Sequence, residues 1–225
     1  MRTSWLTVAM CFLPALAWPQ EAANHINTKR VSFYPVEFVC PAAPLIGCGS
    51  AAKPILLQLE RDSHVASAWL NRAGTIIAVA WKEKVADRRR AKLIASILED
   101  TNAVELKGQA RKKALENYPS SGAWYRGQEV DRLSEEEAGV IATRLARRIS
   151  RQISLTDEKA AAIKEGIRAA LARRLIEGGL GDRSQSEEEM LAICRQNLNE
   201  KEIAILKEAH EKGAFSHLRE GPAAP

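Results

Sequence analysis

The chain lacks most of the signatures from which an activity is read. It has no glycine-rich phosphate loop, no H-E-x-x-H, no G-x-S-x-G and no Cys-x-x-Cys-His, so P-loop, zinc-protease, α/β-hydrolase and c-type haem chemistry have no carrier in their usual form. It also has no Cys-x-x-Cys, the pattern that a thioredoxin-type role wants. The acidic runs Glu135 to Glu137 and Glu187 to Glu189 fall at predicted helix starts, where capping and the helix dipole account for them. These absences give the expectation of a non-enzyme. Beyond the first residues no segment is apolar enough to cross a membrane. The formal net charge of +5 is modest for 225 residues, and its basic residues are interleaved with acids along helices. No nucleic-acid partner is expected; the basic balance reads as solubility and attraction to anionic envelope surfaces.

What is present is the composition of a folded soluble protein, 46% hydrophobic and 27% charged. Met1-Arg2 leads into an apolar run from Trp5 to Ala17 that ends Ala15-Leu16-Ala17. A charged start, a short apolar core and a small-residue site describe a secretory signal peptide over residues 1–17. The expected location is therefore periplasmic or secreted, with no integral membrane segment after cleavage. Export changes what the thiols mean. With Cys11 inside the signal, Cys40, Cys48 and Cys194 remain, an odd number in a compartment that favours disulfides.

After a polar lead-in over 18–30, the segment Val31 to Val39 alternates well enough after Pro35 for a strand, with Val36, Phe38 and Cys40 on one face. Pro41, Pro44, Gly47 and Gly49 then predict a loop without regular structure, holding Cys40 at one end and Cys48 at the other. Ser50 is the predicted N-cap of a helix with a stripe of Ile55, Leu56 and Leu59, and Pro54 is tolerable only near its first turn. His64 to Asn71, a turn at Arg72-Ala73-Gly74 and Thr75 to Trp81 predict a hairpin. Asp87 caps a second predicted helix carrying Ala91, Ile94, Ile97 and Leu98, with Arg88, Arg89, Arg90 and Lys92 outward as a solvated face. Val104-Glu105-Leu106 alternates as a closing strand. The order strand, helix, strand, strand, helix, strand is the ferredoxin-like βαββαβ arrangement of an α+β module over 31–110.

That module resembles the heavy-metal-associated domain of copper chaperones and mercury-binding proteins. Cys48-Gly49-Ser50-Ala51 falls on the family's Cys-x-x-Cys, and Ile55 and Leu59 fall on its aliphatic positions. The likeness covers about a third of the chain, and Ala51 occupies the family's second cysteine position. The resemblance implies a thiophilic cargo ion such as Cu(I) or Hg(II).

Residues 111–131 read as a linker, followed by an all-α helical region over 132–220 and a tail over 221–225. Leu133-Ser134-Glu135-Glu136-Glu137, Leu155-Thr156-Asp157-Glu158-Lys159 and Leu198-Asn199-Glu200-Lys201-Glu202 share one start signature: a capping Ser, Thr or Asn, acids in the first turn and a preceding Leu staple. Val140, Ile141, Leu145 and Ile149, then Ile163, Ile167, Leu171 and Leu175, give two amphipathic helices. Gly178-Gly179-Leu180-Gly181 ends the second. Met190, Leu191 and Cys194 mark a third helix and Ile203, Leu206 and Ala209 a fourth. The start signature is similar to the LTxxQ motif of small helical periplasmic proteins, with Glu137, Lys159 and Glu202 where that family has Gln.

The candidate chemistry rests on Cys40 and Cys48. A seven-residue loop can bring two sulfurs together, and two thiolates suit a soft ion because sulfur outcompetes oxygen and nitrogen for it. The competing reading is a disulfide that staples the loop and contributes about 2–3 kcal/mol. Cys48 precedes a helix, whose dipole favours its thiolate and makes it the expected nucleophile or ligand. His210 and His217 are separated by Gly213 without a completing ligand, and His64 opens a strand, so these histidines read as structural or exposed. Cys194 reads as a small hydrophobe. The expectation is an exported protein that binds or senses a thiophilic metal ion through Cys40 and Cys48, its helices serving self-association or an envelope protein partner. The alternatives are a non-catalytic helical chaperone or interaction protein with a disulfide-stapled module, and a disulfide-exchange protein.

Overall fold

Val31, Phe33 and Tyr34, residue types that favour extended backbone, build the first strand, β1 (Val31–Pro35), which follows a 3₁₀ turn at Thr28–Arg30. The computed structural model describes residues 27–40, 43–99, 104–120, 122–177 and 183–213. The predicted signal peptide with Cys11, the Gly178–Gly181 stop and His217 lie outside the described residues. The fold is mixed α/β, with antiparallel strands in the first half and seven helices in the described residues, most of them in the second half.

The predicted hairpin is present as β4 (Val65–Asn71) and β5 (Ile76–Trp81), and β5 also pairs antiparallel with β1, Phe33 opposite Ala78. Between β1 and β4 lie the two-residue β2 (Val39–Cys40), β3 (Ala43–Gly47) and the first helix, α1 (Gly49–Arg61). The proline- and glycine-rich stretch expected to be irregular is thus a short antiparallel ribbon, its register shifted between Val39 and Cys40. Paired backbone groups leave few orphans here, whatever the local propensity. The expected closing strand at Val104–Leu106 is not formed; Leu106 N–H donates to Phe33 O at 2.7 Å and the pairing stops there. A three-residue strand, β6 (Trp124–Arg126), adds instead to the far edge of β4, giving the order β1-β5-β4-β6.

Both sheet faces are covered. On one, Leu56 and Leu59 of α1 and Ile94 and Ile97 of α2 (Asp87–Leu98) pack on Tyr34, Leu70, Ile77 and Val79. On the other, Phe33, Tyr118, Trp124 and Trp69 meet edge to face with centroids 5.2–6.1 Å apart, beside Ala114 of α3 (Gly108–Glu116). Edge-to-face pairs each add about 0.5–1.5 kcal/mol to area burial. The predicted linker 111–131 therefore holds most of α3, all of β6 and a 3₁₀ turn at Gly127–Val130 that runs into the next helix.

That helix, α4 (Asp131–Gln152), begins three residues before Ser134, so Ser134 is not its cap but lies buried within its first turn. With α5 (Asp157–Glu177), α6 (Arg183–Arg195) and α7 (Glu200–Glu211) it encloses a second core of Ile149, Ile163, Ile167, Cys194, Ile203 and Leu206. The predicted capping box at Asn199 and Glu202 is formed in both directions, at 2.8 and 3.0 Å. Thr156 likewise accepts from Lys159 N–H.

Two glycines fix how these parts meet. A Cβ on Gly74, in the hairpin turn at φ +73°, would lie 2.2 Å from Phe38 O and 2.5 Å from Gly47 Cα, so the turn seats the base of the β2–β3 ribbon through bare backbone. A Cβ on Gly49 would lie 2.2 Å from Val130 O and 2.5 Å from Ser134 Oγ, which brings the start of α4 against the start of α1. Gly49→Val should therefore cost about 1–3 kcal/mol of overpacking and backbone shift, read as a lower denaturant midpoint. Gly139→Ala, in α4 where nothing lies within 4 Å of the added atom, should instead gain about 0.5–1 kcal/mol. Equal effects of the two would contradict the close approach at Gly49.

Candidate functional site

The β2–β3 ribbon sets the two predicted site residues. Val39 lies opposite Gly47, and each is followed in sequence by a cysteine, so both cysteines flank the same rung at the base of the ribbon. Cys48 N–H donates to Phe38 O at 2.7 Å, closing the ribbon's base. Cys48 is also the N-cap of α1, the position expected of Ser50; Ser50 is a helical residue, and its Oγ lies 3.2 Å from Cys48 Sγ. Cys40 and Cys48 are both partly exposed. No disulfide joins them, and none is present among the described residues.

The residue that lies behind both thiols reads in the sequence as a helix-start acid, at the position where the LTxxQ motif has Gln. Glu137, in the second turn of α4, is 1% exposed, and the side chains of both Cys40 and Cys48 lie near enough to its carboxyl to favour its charged form. Its Oε2 has no hydrogen-bond partner, and neither has the buried Oγ of Ser134 one turn earlier. An orphaned buried oxygen of this kind costs about 1–3 kcal/mol. Burial drives the Glu137 carboxyl above the usual carboxylate range, and the two thiols pull it partway back. The signal for this residue was present: Val130, Leu133, Glu137 and Val140 fall at i, i+3, i+7 and i+10, so Glu137 interrupts an apolar stripe.

Two ion pairs hold the first turns of α4 to the module, Lys53 with Asp131 at 2.8 Å and Arg72 with Glu136, while Glu60 with Arg126 at 2.7 Å ties α1 to β6. Each is partly exposed and contributes at most about 1 kcal/mol. The first two orient α4 while the apolar contacts of Val130 and Leu133 with the sheet core hold it.

Other sequence candidates stay apart from this site. Cys194 is 1% exposed in the helical core, and burial pushes its thiol up to about 11, as a structural cysteine requires. His64 lies 3.0 Å from Glu83 at the opposite end of the sheet. Among the described residues no three His, Cys, Asp or Glu side chains are grouped as a closed metal site needs. The arrangement is thus two solvent-reachable thiols backed by one water-excluded carboxyl.

Glu137 holds its proton to higher pH in the folded chain than in the unfolded one. Its contribution to stability is present below the ordinary carboxyl range and is lost as pH rises through its raised value. Glu137→Gln removes that loss and keeps an amide oxygen for the thiols. The stability of the variant minus that of the parent should therefore climb with pH above about 4.5, measured by denaturant unfolding at a series of pH values. A difference that stays flat across that window would contradict the buried, proton-holding state.

No protein-family model matches the chain, and neither a curated protein nor a solved structure matches it.

Proposed function

We infer that this protein binds a thiophilic metal ion, Cu(I) or Hg(II), through Cys40 and Cys48. The reading includes a ferredoxin-like ancestry for the thiol-bearing module, an exported, envelope location, and helices that serve a partner or a second copy. The observation that carries it is that Cys40 and Cys48 flank one rung of the β2–β3 ribbon and both act on the same buried carboxyl of Glu137. Two side chains that reach one acceptor are poised around one point, and a soft ion of low coordination number needs only two sulfurs there.

The register shift between Val39 and Cys40 takes Cys40 off the regular ladder, and no disulfide joins it to Cys48, so both sulfurs are available as ligands for a soft ion. Glu137 is then a positioning residue that aims the two thiols and excludes water behind them.

Competition for Cu(I) against a chromogenic chelator, under reductant, tests the reading. The parent should take up one ion per chain, and Cys40→Ser and Cys48→Ser should each weaken binding on the order of a hundredfold or more, since losing one of two sulfurs leaves no chelate. Cys194→Ser should bind as the parent does. Parent-like binding by both ribbon variants would overturn the proposal.

A further inference from the structure

The charge of this chain is gathered at one end of the sheet. The twenty residues of segments 29–30, 82–92 and 107–113 hold twelve basic side chains and only two acids, Glu83 and Asp87, although the whole chain is only +5. These segments are joined in space. Arg30 donates to Lys82 O at 2.8 Å, Arg111 donates to Thr28 O at 2.7 Å, and Val31 pairs with Ala80. The N-terminal turns of α2 and α3 start from this same end, on opposite faces of the sheet. Lys29, Arg30, Lys82, Lys84, Arg88 and Arg89 are all exposed there. The acids nearby are taken up by other groups: Asp87 is bonded by Arg90, Glu105 by Arg90 and Lys107, and Glu83 lies against His64.

Such a field repels itself and weakens the fold slightly, and Arg88 and Arg89 stand in the first turn of a helix, where the dipole disfavours cations. We propose that this basic rim, at the Val31 and Trp81 end of the sheet, docks the protein on an anionic phospholipid surface. The rim spreads over two strand ends and two helix starts on both faces of the sheet, a broad field suited to a plane of headgroups. A nucleic-acid strand is a poorer fit, because no aromatic ring among the described residues is exposed for bases to stack on. The orientation follows from the strands. The Cys40–Cys48 ribbon grows from the Pro35 and Thr75 end, a strand length of about 17 Å away. A chain docked by its rim presents its thiols to solvent. This inference stands whether or not the thiols bind metal.

Co-sedimentation of the full chain with mixed phosphatidylglycerol and phosphatidylcholine vesicles, and with phosphatidylcholine alone, tests it. Binding should require the anionic lipid and fade as added salt shortens screening to about 3 Å near 1 M. The triple variant Lys82→Glu, Arg88→Glu, Arg89→Glu should lose on the order of a hundredfold or more in partitioning. The control Arg147→Glu, Lys164→Glu, Lys207→Glu makes the same change in net charge on exposed sites of the helical half and should bind nearly as the parent does. Circular dichroism of each variant reports that it is folded. Equal losses in the two triple variants, no preference for anionic lipid, or binding to duplex DNA without binding to vesicles would each overturn the proposal.

Discussion

The close approach of two helix starts at Gly49 is the constraint on which the rest depends. With no side chain there, the backbone of Val130 and the hydroxyl of Ser134 come within the space that a Cβ would fill. That contact sets α4 against the N-cap of α1, and the N-cap residue is Cys48. Glu137, one turn beyond Ser134, then lies behind the ribbon rather than in water. The second glycine contact, Gly74 on Gly47 and Phe38, fixes the other side of the ribbon. The ribbon that carries the thiols is held between a hairpin turn and a helix start, each in close backbone contact with its neighbours.

α4 makes one body of what composition divides in two. At about 1.5 Å per residue its 22 residues span roughly 33 Å. Its first turns contribute Leu133 to the module core, and Ala142 and Ile149 belong to the helical core. A shift of the ribbon therefore has a continuous packed path to α5 and α7. This is a physical basis for the sensing half of the metal reading: interiors packed to crystal-like density pass displacement on rather than absorb it.

The sequence told most where one local force dominates. Period-2 alternation with a glycine turn marks the β4–β5 hairpin, and Asn199 with Glu202 marks the start of α7, because these depend on near neighbours alone. It told least where distant partners decide. Val104–Leu106 alternates like a strand but has only a single backbone bond to Phe33, while Trp124–Arg126, hidden in a stretch read as linker, finds the open edge of β4. Ser134 reads as a cap, but an earlier 3₁₀ turn starts the helix and carries it past that position. Cys40 and Cys48 were legible as a pair from their chemistry. Their acceptor lies 89 residues from Cys48, and periodicity alone exposes it, as a charged residue where the stripe calls for an apolar one.

That exception to the pattern has a direction. An apolar residue at position 137 would satisfy the stripe and remove an orphaned oxygen that costs about 1–3 kcal/mol. Rules of patterning broken without local compensation cluster at functional sites, and here the broken rule lies beside the two partly exposed cysteines. The basic rim breaks a second rule, since concentrated like charge opposes folding, and it does so at the other end of the same strands. The two unfavourable features are kept about a strand length apart. A cationic field beside the ribbon would repel an incoming metal cation, and separation along β1 and β5 removes that conflict while leaving both features on one rigid sheet.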